Sequence, residues 1–387
     1  MKIIKKILIT LVVLIALVVA LAYIFKVDYL LTATQTIYLK GHTTAFLEDY
    51  KEFDNRTLHK STNPQPWAIH KDYNKVAPTE KLTATHKELK TIAYLIIKND
   101  SIWHESYFDG FNEASKTNSF SMAKSIVTAA LGRAIKEGKI KSLDQKVSDF
   151  FPQYNKGFAA QLTVGDLSSM SSGMDFIEKY YSPFCIVTET YFTDDLEKVM
   201  LGLPIIEEPG KRFNYQSGST ELLAMCITKA TGEKLTDYVS KNFWQTMGAE
   251  NDALWQVDKE DGIEKAFCCI ASNARDFARF GKLYKQKGNW NGNQILDTVF
   301  VEKCITPRFK ESPEYGYGWW MSNHKNKKIF SMRGHLGQYV ITIPEDNLII
   351  VRLGHLKGEQ KKGDTHPESF YIYVDEAYKM LENAEKN

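Results

Sequence analysis

Ser121 and Lys124 stand three residues apart in the stretch Ser119-Phe-Ser-Met-Ala-Lys-Ser-Ile-Val-Thr-Ala-Ala-Leu-Gly132. On a helix this spacing turns both side chains to the same side of the first turn. A serine hydroxyl is a poor nucleophile at neutral pH. A lysine amine within hydrogen-bond reach can take its proton when burial keeps the amine neutral. Free backbone N–H groups at the helix start can face a developing oxyanion. The same spacing also describes an N-cap serine followed by a solvated lysine, and Ser322-Asn-His-Lys325 repeats it. The pair acquires meaning only from its company.

Acyl transfer needs a nucleophile, a base, an acid for the leaving group and oxyanion donors. The segment Glu208-Pro-Gly-Lys-Arg-Phe-Asn-Tyr-Gln-Ser217 offers a second piece, with a Pro209-Gly210 turn and Tyr215 just ahead of a helix. A tyrosine near a lysine ammonium has its phenol pKa lowered and can relay protons. A half-buried structural tyrosine is the alternative, and Tyr180-Tyr-Ser182 and Tyr238-Val-Ser240 carry the same Tyr-x-Ser pattern. The third piece is Gly334-His-Leu-Gly337-Gln338, leading into a strand. Glycine there lets the backbone pass close to a ligand. The N–H of Gln338 is a candidate second oxyanion donor, and His335 can hold a substrate carboxylate or simply hydrogen-bond in place.

These pieces need elements to position them. Residues 91–97 and 101–108 are strand-like around an Asn99-Asp100 turn, which predicts a β-hairpin. Helical patterns follow at 121–137, 143–151, 163–170, 195–201, 217–231, 235–247, 273–287 and 298–305. Strand chemistry returns at 317–321, 329–332, 338–343 and 348–353, and Pro367 opens a final amphipathic helix to about residue 381. The simplest packing is α+β: first and last strands share one central antiparallel sheet with flanking helices, and a mostly helical lobe is inserted between them. Ser121 then lies where lobe and sheet meet, the usual place for a cleft.

The 387 residues allow two lobes or one large domain with insertions. A formal net charge of +2, with no separate Lys/Arg stripe, argues against nucleic-acid binding. The five cysteines lack Cys-x-x-Cys spacing, and adjacent Cys268 and Cys269 bridge only with difficulty, so mostly buried free thiols are expected. No His-Glu-x-x-His and no Gly-rich phosphate loop occur, so no metal or other cofactor is expected. Lys2, Lys5 and Lys6 precede an apolar run of about 19 residues, 7–25, broken only by Thr10. That length is close to a bilayer span, and the basic flank places the N-terminus in the cytoplasm. A cleaved signal peptide, with Ala20-Leu-Ala22 as its cleavage site, is the alternative, but its apolar region is usually about 7–15 residues. The expectation is a signal-anchor or transmembrane segment at 1–26, a leader at 27–85 that packs on the body, and a hydrolase domain at 86–387. Either N-terminal reading exports the catalytic domain to a periplasmic or other extracytoplasmic space.

Jointly, Ser121-Met-Ala-Lys124, Thr163-Val-Gly-Asp-Leu167, Ser171-Ser-Gly-Met174, Pro209-Gly-x-x-Phe-x-Tyr-x-Ser217, Asn273-Ala-Arg-Asp-Phe-Ala-Arg-Phe-Gly281, Tyr315-Gly-Tyr-Gly-Trp-Trp320 and His335-Leu-Gly337 resemble the serine β-lactamase and penicillin-binding-protein superfamily, in its class C-like branch. The resemblance covers residues from about 89 to 377 and implies the β-lactamase/transpeptidase-like fold. It implies that Ser121 is acylated, that Lys124 and Tyr215 handle its proton, and that the N–H groups of Ser121 and Gln338 form the oxyanion hole. Water would then attack the acyl-enzyme.

Many members carry Lys-Thr/Ser-Gly where this chain has His335-Leu-Gly337. A histidine is largely neutral at pH 7, and Leu336 lacks the hydroxyl that would hold a β-lactam carboxylate. His-x-Gly is similar instead to the esterase and aminohexanoate-oligomer (nylon-oligomer) hydrolase group. There the tyrosine corresponding to Tyr180, which has Tyr181 beside it, lies over the cleft and assists amide cleavage. Tyr180, His335 and Gly337 are the implied substrate-binding residues. Arg352 is either a carboxylate partner or a surface arginine. The resulting expectation is a membrane-tethered serine hydrolase of small esters, amides or short peptides. The alternatives are a D-stereospecific peptidase or weak β-lactamase, and a non-catalytic domain that binds cell-wall fragments.

Overall fold

The computed structural model describes residues 1–180 and 182–385, so Tyr181 lies outside the described residues. Helix α1 (Lys2–Ile24) is apolar, and of its residues only Ala22 is buried. Among the described residues it is the one helix long and apolar enough to cross a membrane. Helix α2 (Tyr29–Thr36) follows directly, and β1 (Asn55–Leu58) and β2 (Ala68–Ile69) complete the N-terminal stretch before α3 (Glu80–Glu88). The hairpin β3 (Thr91–Lys98) and β4 (Ser101–Tyr107) turns at Asn99 and Asp100, both at positive φ. Such a turn matches the twist of the strands it joins.

The helical block opens with β5 (Thr117–Asn118) and α4 (Ala123–Lys136). It continues through α5 (Val164–Ser168), α6 (Ile186–Phe192), α7 (Leu196–Leu201), α8 (Ser217–Thr231) and α9 (Leu235–Val239). Strands β6 (Ala253–Gln256) and β7 (Ile270–Ser272) precede α10 (Ala274–Lys285). A small hairpin, β8 (Asn289–Trp290) and β9 (Asn293–Gln294), leads to α11 (Thr298–Cys304). The chain closes with β10 (Trp320–His324), β11 (Lys327–Gly334), β12 (Gln338–Ile343), β13 (Leu348–Gly354) and α12 (Glu368–Glu385).

The main sheet has seven strands in the order β10-β11-β12-β13-β3-β4-β2, so the first hairpin and the last strands do share one sheet. Its pairs are antiparallel except β2 with β4. Alternation along β3 serves two cores, because successive strand side chains face opposite ways. Tyr94 and Ile96 join Phe370, Tyr373 and Val374 of α12 and Leu82 of α3. Leu95 and Ile97 join the larger core built with α4, α8 and α10. The fold is α+β of the β-lactamase type.

Four local expectations are corrected. Residues 143–151 form only a short 3₁₀ turn, Val147–Asp149. Side chains there compete for backbone groups: Asp144 N–H donates to Ser142 Oγ and Lys141 N–H to Gln145 Oε1. The backbone instead bonds across to 162–164, through Val147 N–H to Leu162 O and Val164 N–H to Gln145 O. The strand expected at 317–321 begins at Trp320, because Gly318 turns at φ +73° and donates its N–H to Ser168 O.

A second sheet, ordered β1-β6-β7-β5, was not foreseen. Its strands have only two to four residues, too few for a readable alternation. Cys268 and Cys269 are joined in a disulfide, while Cys185, Cys226 and Cys304 are free thiols. The φ of +80° at Cys269 bends the backbone between the adjacent residues, a conformation the cysteine spacing does not reveal.

Candidate active site

The turn ahead of α4 is locked before the chain reaches Ser121. Phe120 sits in the left-handed region at φ +46°, which is costly for a residue with a bulky side chain. It is held there by its neighbours. Phe120 N–H donates to Asn118 Oδ1 at 2.8 Å, and Ser119 N–H donates to Ile270 O at 2.7 Å. Ser119 Oγ donates to Phe120 O and accepts from Ile270 N–H, both at 3.1 Å. Asn118 is itself anchored by Asp49, whose carboxylate accepts from Asn118 Nδ2, Gln256 Nε2 and the Tyr191 hydroxyl. Ser121 is thereby presented on the 3₁₀ turn Phe120–Met122, which runs directly into α4.

Lys124, on the first turn of α4, is 2% exposed. Its Nζ donates to Ser121 Oγ at 3.1 Å and to Phe267 O at 2.7 Å. Burial lowers its pKa to about 8, against the opposing pull of Glu178 and Glu221. Glu221, buried in α8, fixes the loop that supplies the Phe267 carbonyl by accepting from Ala266 N–H at 2.7 Å and Phe267 N–H at 3.3 Å. At this pKa about a tenth of the amine is neutral at pH 7, far more than for a solvated lysine.

Tyr215 immediately precedes α8, and its phenol interacts with the Ser121 hydroxyl. Its ring lies 5.2 Å from Lys124 Nζ and packs on Trp320 at 5.3 Å. The expected lowering of its pKa is overturned. Burial, reinforced by Glu178, raises it, and the Ser121 contact and Arg333 offset only part of that. Burial thus favours the neutral phenol of Tyr215 over its phenolate.

The end of β11 closes on the nucleophile turn. A Cβ on Gly334 would overlap the Ser119 carbonyl, so glycine permits this approach. Gln338, opposite Gly334 in the β11–β12 register, directs its side chain away from Ser121, donating to His335 O and Gly354 O. His335 stacks on Tyr180 with ring centroids 5.6 Å apart and meets the edge of Phe120 at 5.5 Å. Burial, then Lys357, lowers its pKa to about 4, so His335 is neutral at physiological pH and offers no charge to a carboxylate. Gly337, at φ +82°, is buried behind His335, and a Cβ there would come within 2.6 Å of Arg352 Nη1. It shapes the turn and does not line the cleft.

Arg352 is neither a carboxylate partner nor a surface residue. It is fully buried on β13. It donates to Leu336 O, Gly337 O, Leu89 O and Thr91 Oγ1, fastening the 335–337 turn to the sheet. Ser322, of the repeated Ser-x-x-Lys pattern, lies on β10 at the sheet edge.

The structure adds two groups that sequence reasoning did not single out. Glu178 accepts from the Tyr180 hydroxyl at 2.6 Å, from Ser217 Oγ at 2.6 Å and from Ser217 N–H at 2.8 Å. It thus joins the Tyr180 loop to the start of α8. Arg333, on β11, turns its field on the phenols of Tyr180 and Tyr215. Ser121, Tyr180, Ser217, Phe267 and His335 line one cleft, whose volume is about 970 Å³ with its open mouth included. No group of acidic, His or Cys residues able to hold a metal occurs among the described residues.

Comparison with known proteins finds hydrolases that share this fold. The 6-aminohexanoate-dimer hydrolase of Paenarthrobacter ureafaciens is 24% identical over 289 residues, covering 69% of this chain and 73% of that protein. A Bacillus anthracis structure assigned to the 6-aminohexanoate-dimer hydrolases superposes with a TM-score of 0.74 at 22% identity, covering 87% of this chain and 92% of that one. The D-stereospecific amidohydrolase from a Streptomyces species has a TM-score of 0.57 at 16% identity, covering 76% and 97%. With residues 79–369 matching the Beta-lactamase family, the chain belongs to that family and is a hydrolase of the β-lactamase and penicillin-binding-protein superfamily.

Proposed function

We propose that this protein is a class C-like serine hydrolase of small esters and amides, acting through an acyl-enzyme on Ser121. The observation that carries the reading is the 3.1 Å contact from buried Lys124 to Ser121 Oγ. Neutral Lys124 accepts the hydroxyl proton as Ser121 Oγ attacks the substrate carbonyl carbon. The tetrahedral oxyanion is met by the N–H groups of Ser121 and Gln338. As the bond to the leaving group breaks, that group takes a proton from Tyr215, which is replenished from the Lys124 ammonium. Water then attacks the Ser121 ester, its proton returning through the same pair. Tyr180, over the cleft, turns its hydroxyl from Glu178 to hydrogen-bond the nitrogen of an amide leaving group, whose added proton comes from Tyr215. His335 gives Tyr180 a flat neutral surface to stack on.

The apolar α1 is read as a retained membrane anchor, with the hydrolase exported beyond it. Its 23 residues and exposed apolar surface support that reading. The neutral His335 disfavours β-lactams and other substrates that need a cation at that position.

A fluorophosphonate probe tests the central claim. Wild type is expected to be labelled on Ser121, and Ser121→Ala not at all. A folded wild-type protein that takes no label would overturn the assignment and favour a binding-only domain. Among true substrates, short nitrophenyl esters and linear ω-amino-acid amides are expected to be cleaved faster than cephalosporins.

A further inference from the structure

The cleft that holds Ser121 does not end at the hydrolase core. One of its walls is supplied by Leu30 and Ala33 of α2, with Ile37 and Tyr38 just after that helix. This wall begins only a few residues after α1 ends, and Val27 N–H still bonds Ala22 O across the junction. The adjoining wall, from α6 packed against α2, is apolar too, with Pro183 ahead of that helix, Val187 in its first turn and Phe192 at its end. Tyr29 ties the two walls by donating to Pro183 O at 3.2 Å.

The rim is unusually apolar for a surface exposed to water. Tyr38 is 51% exposed, its neighbour Leu39 76%, and Phe184, next to Pro183, 72%. Exposed aromatic and aliphatic side chains gathered at a cleft mouth mark a surface that meets an apolar phase or ligand. The same wall is continuous with a helix of membrane-spanning length. The lining runs from Ser121 to Leu30 and Tyr38, so the nucleophile and the α2 wall share one cleft.

Resting on the hydrolase and anchor readings above, we infer that the substrate carries an unbranched apolar chain beside its scissile ester or amide. This chain lies along the α2 wall and reaches Ser121 from the α1 side, where such an amphiphile is concentrated in the bilayer surface. Transfer of the chain from water to the wall contributes to turnover, about threefold to fourfold per methylene while the cleft still has room.

The test uses the full chain in nanodiscs and two substrate series, nitrophenyl esters of acids from acetate to dodecanoate and acetate esters of alkanols of the same lengths. In one series kcat/KM is expected to rise at least 100-fold from the shortest to the ten-carbon member, and that series identifies which side of the scissile bond carries the chain. Ala33→Trp and Leu30→Asp, in the same nanodiscs, are expected to reduce the long-to-short ratio of kcat/KM at least tenfold. Because bilayer partitioning is common to all three proteins, a reduced ratio reports the wall itself. Leu30 is only half-buried, so Leu30→Asp decides the matter if Ala33→Trp does not fold. Hydrolysis of the short esters with no rise in either series, or a ratio unchanged in the folded variants, would overturn this inference and leave the hydrolase reading standing. Failure to cleave any member would overturn both.

Discussion

The amine of Lys124 lies 3.1 Å from the hydroxyl of Ser121 and is almost wholly removed from water. Burial has brought its pKa down to about 8. A base must be deprotonated to act, so kcat/KM should climb about tenfold per pH unit below this value and level off above it. The rate of hydrolysis of a short ester between pH 5.5 and 9.5 measures this limb. A profile flat across pH 6–8 would show that neutral Lys124 is not required.

Removing the proton-handling groups should cost more than removing a packing residue. Lys124→Ala and Tyr215→Phe are each expected to lower ester turnover by roughly two or more orders of magnitude, with little change in KM. Tyr215→Phe keeps the ring against Trp320 and deletes only the hydroxyl, so its loss reports proton donation. Rates near wild type in either variant would remove that residue from the mechanism.

Glu178→Gln separates position from charge. The amide oxygen can still accept from Ser217 Oγ and Tyr180, the bond from Ser217 N–H to the second oxygen is lost, and the negative charge that favours the Lys124 ammonium is gone. The alkaline-going limb of the pH profile should therefore move to lower pH. Turnover should fall about tenfold, the scale of one charge-assisted hydrogen bond. An unmoved limb with reduced turnover would leave Glu178 a merely structural tie.

Asp49 is distant in sequence from Ser121 but buried behind its turn, where it accepts from Asn118, Tyr191 and Gln256. Asp49→Ala leaves these donors unmatched and should cost about 3 kcal/mol of stability. Urea unfolding of the membrane-extracted protein measures it, and a loss below about 1 kcal/mol would contradict the network drawn here.

Much of this was legible where local chemistry and tertiary packing agree. Helix α8 runs over 217–231 as expected, stopped by Gly232 at φ +71°. Strand β12 has its expected bounds because its apolar run follows directly on the Gly337 turn. Ser121 and His335 line one cleft, and Lys124 and the Tyr215 ring pack beside Ser121. Glu178 escaped notice because its bond to Ser217 spans 39 residues and its own stretch has no regular structure. The second sheet escaped because two- to four-residue strands carry no period. The pKa of Tyr215 was misjudged in direction: a neighbouring amine is visible in sequence spacing, whereas depth of burial is not.

Strands β1 and β2 belong to different sheets, β1 beside β6 and β2 beside β4, yet both lie ahead of residues 79–369, which match the family. Trimming a gene to that recognisable part would therefore bare two strand edges at once and remove Asp49 from behind the nucleophile. Such a fragment is expected to be insoluble or inactive for reasons unrelated to catalysis. A fragment beginning near Tyr29 keeps both edges covered and gives up only α1. The family match and the sheets draw their borders at different residues here, and the second border is the one a biochemist should cut along.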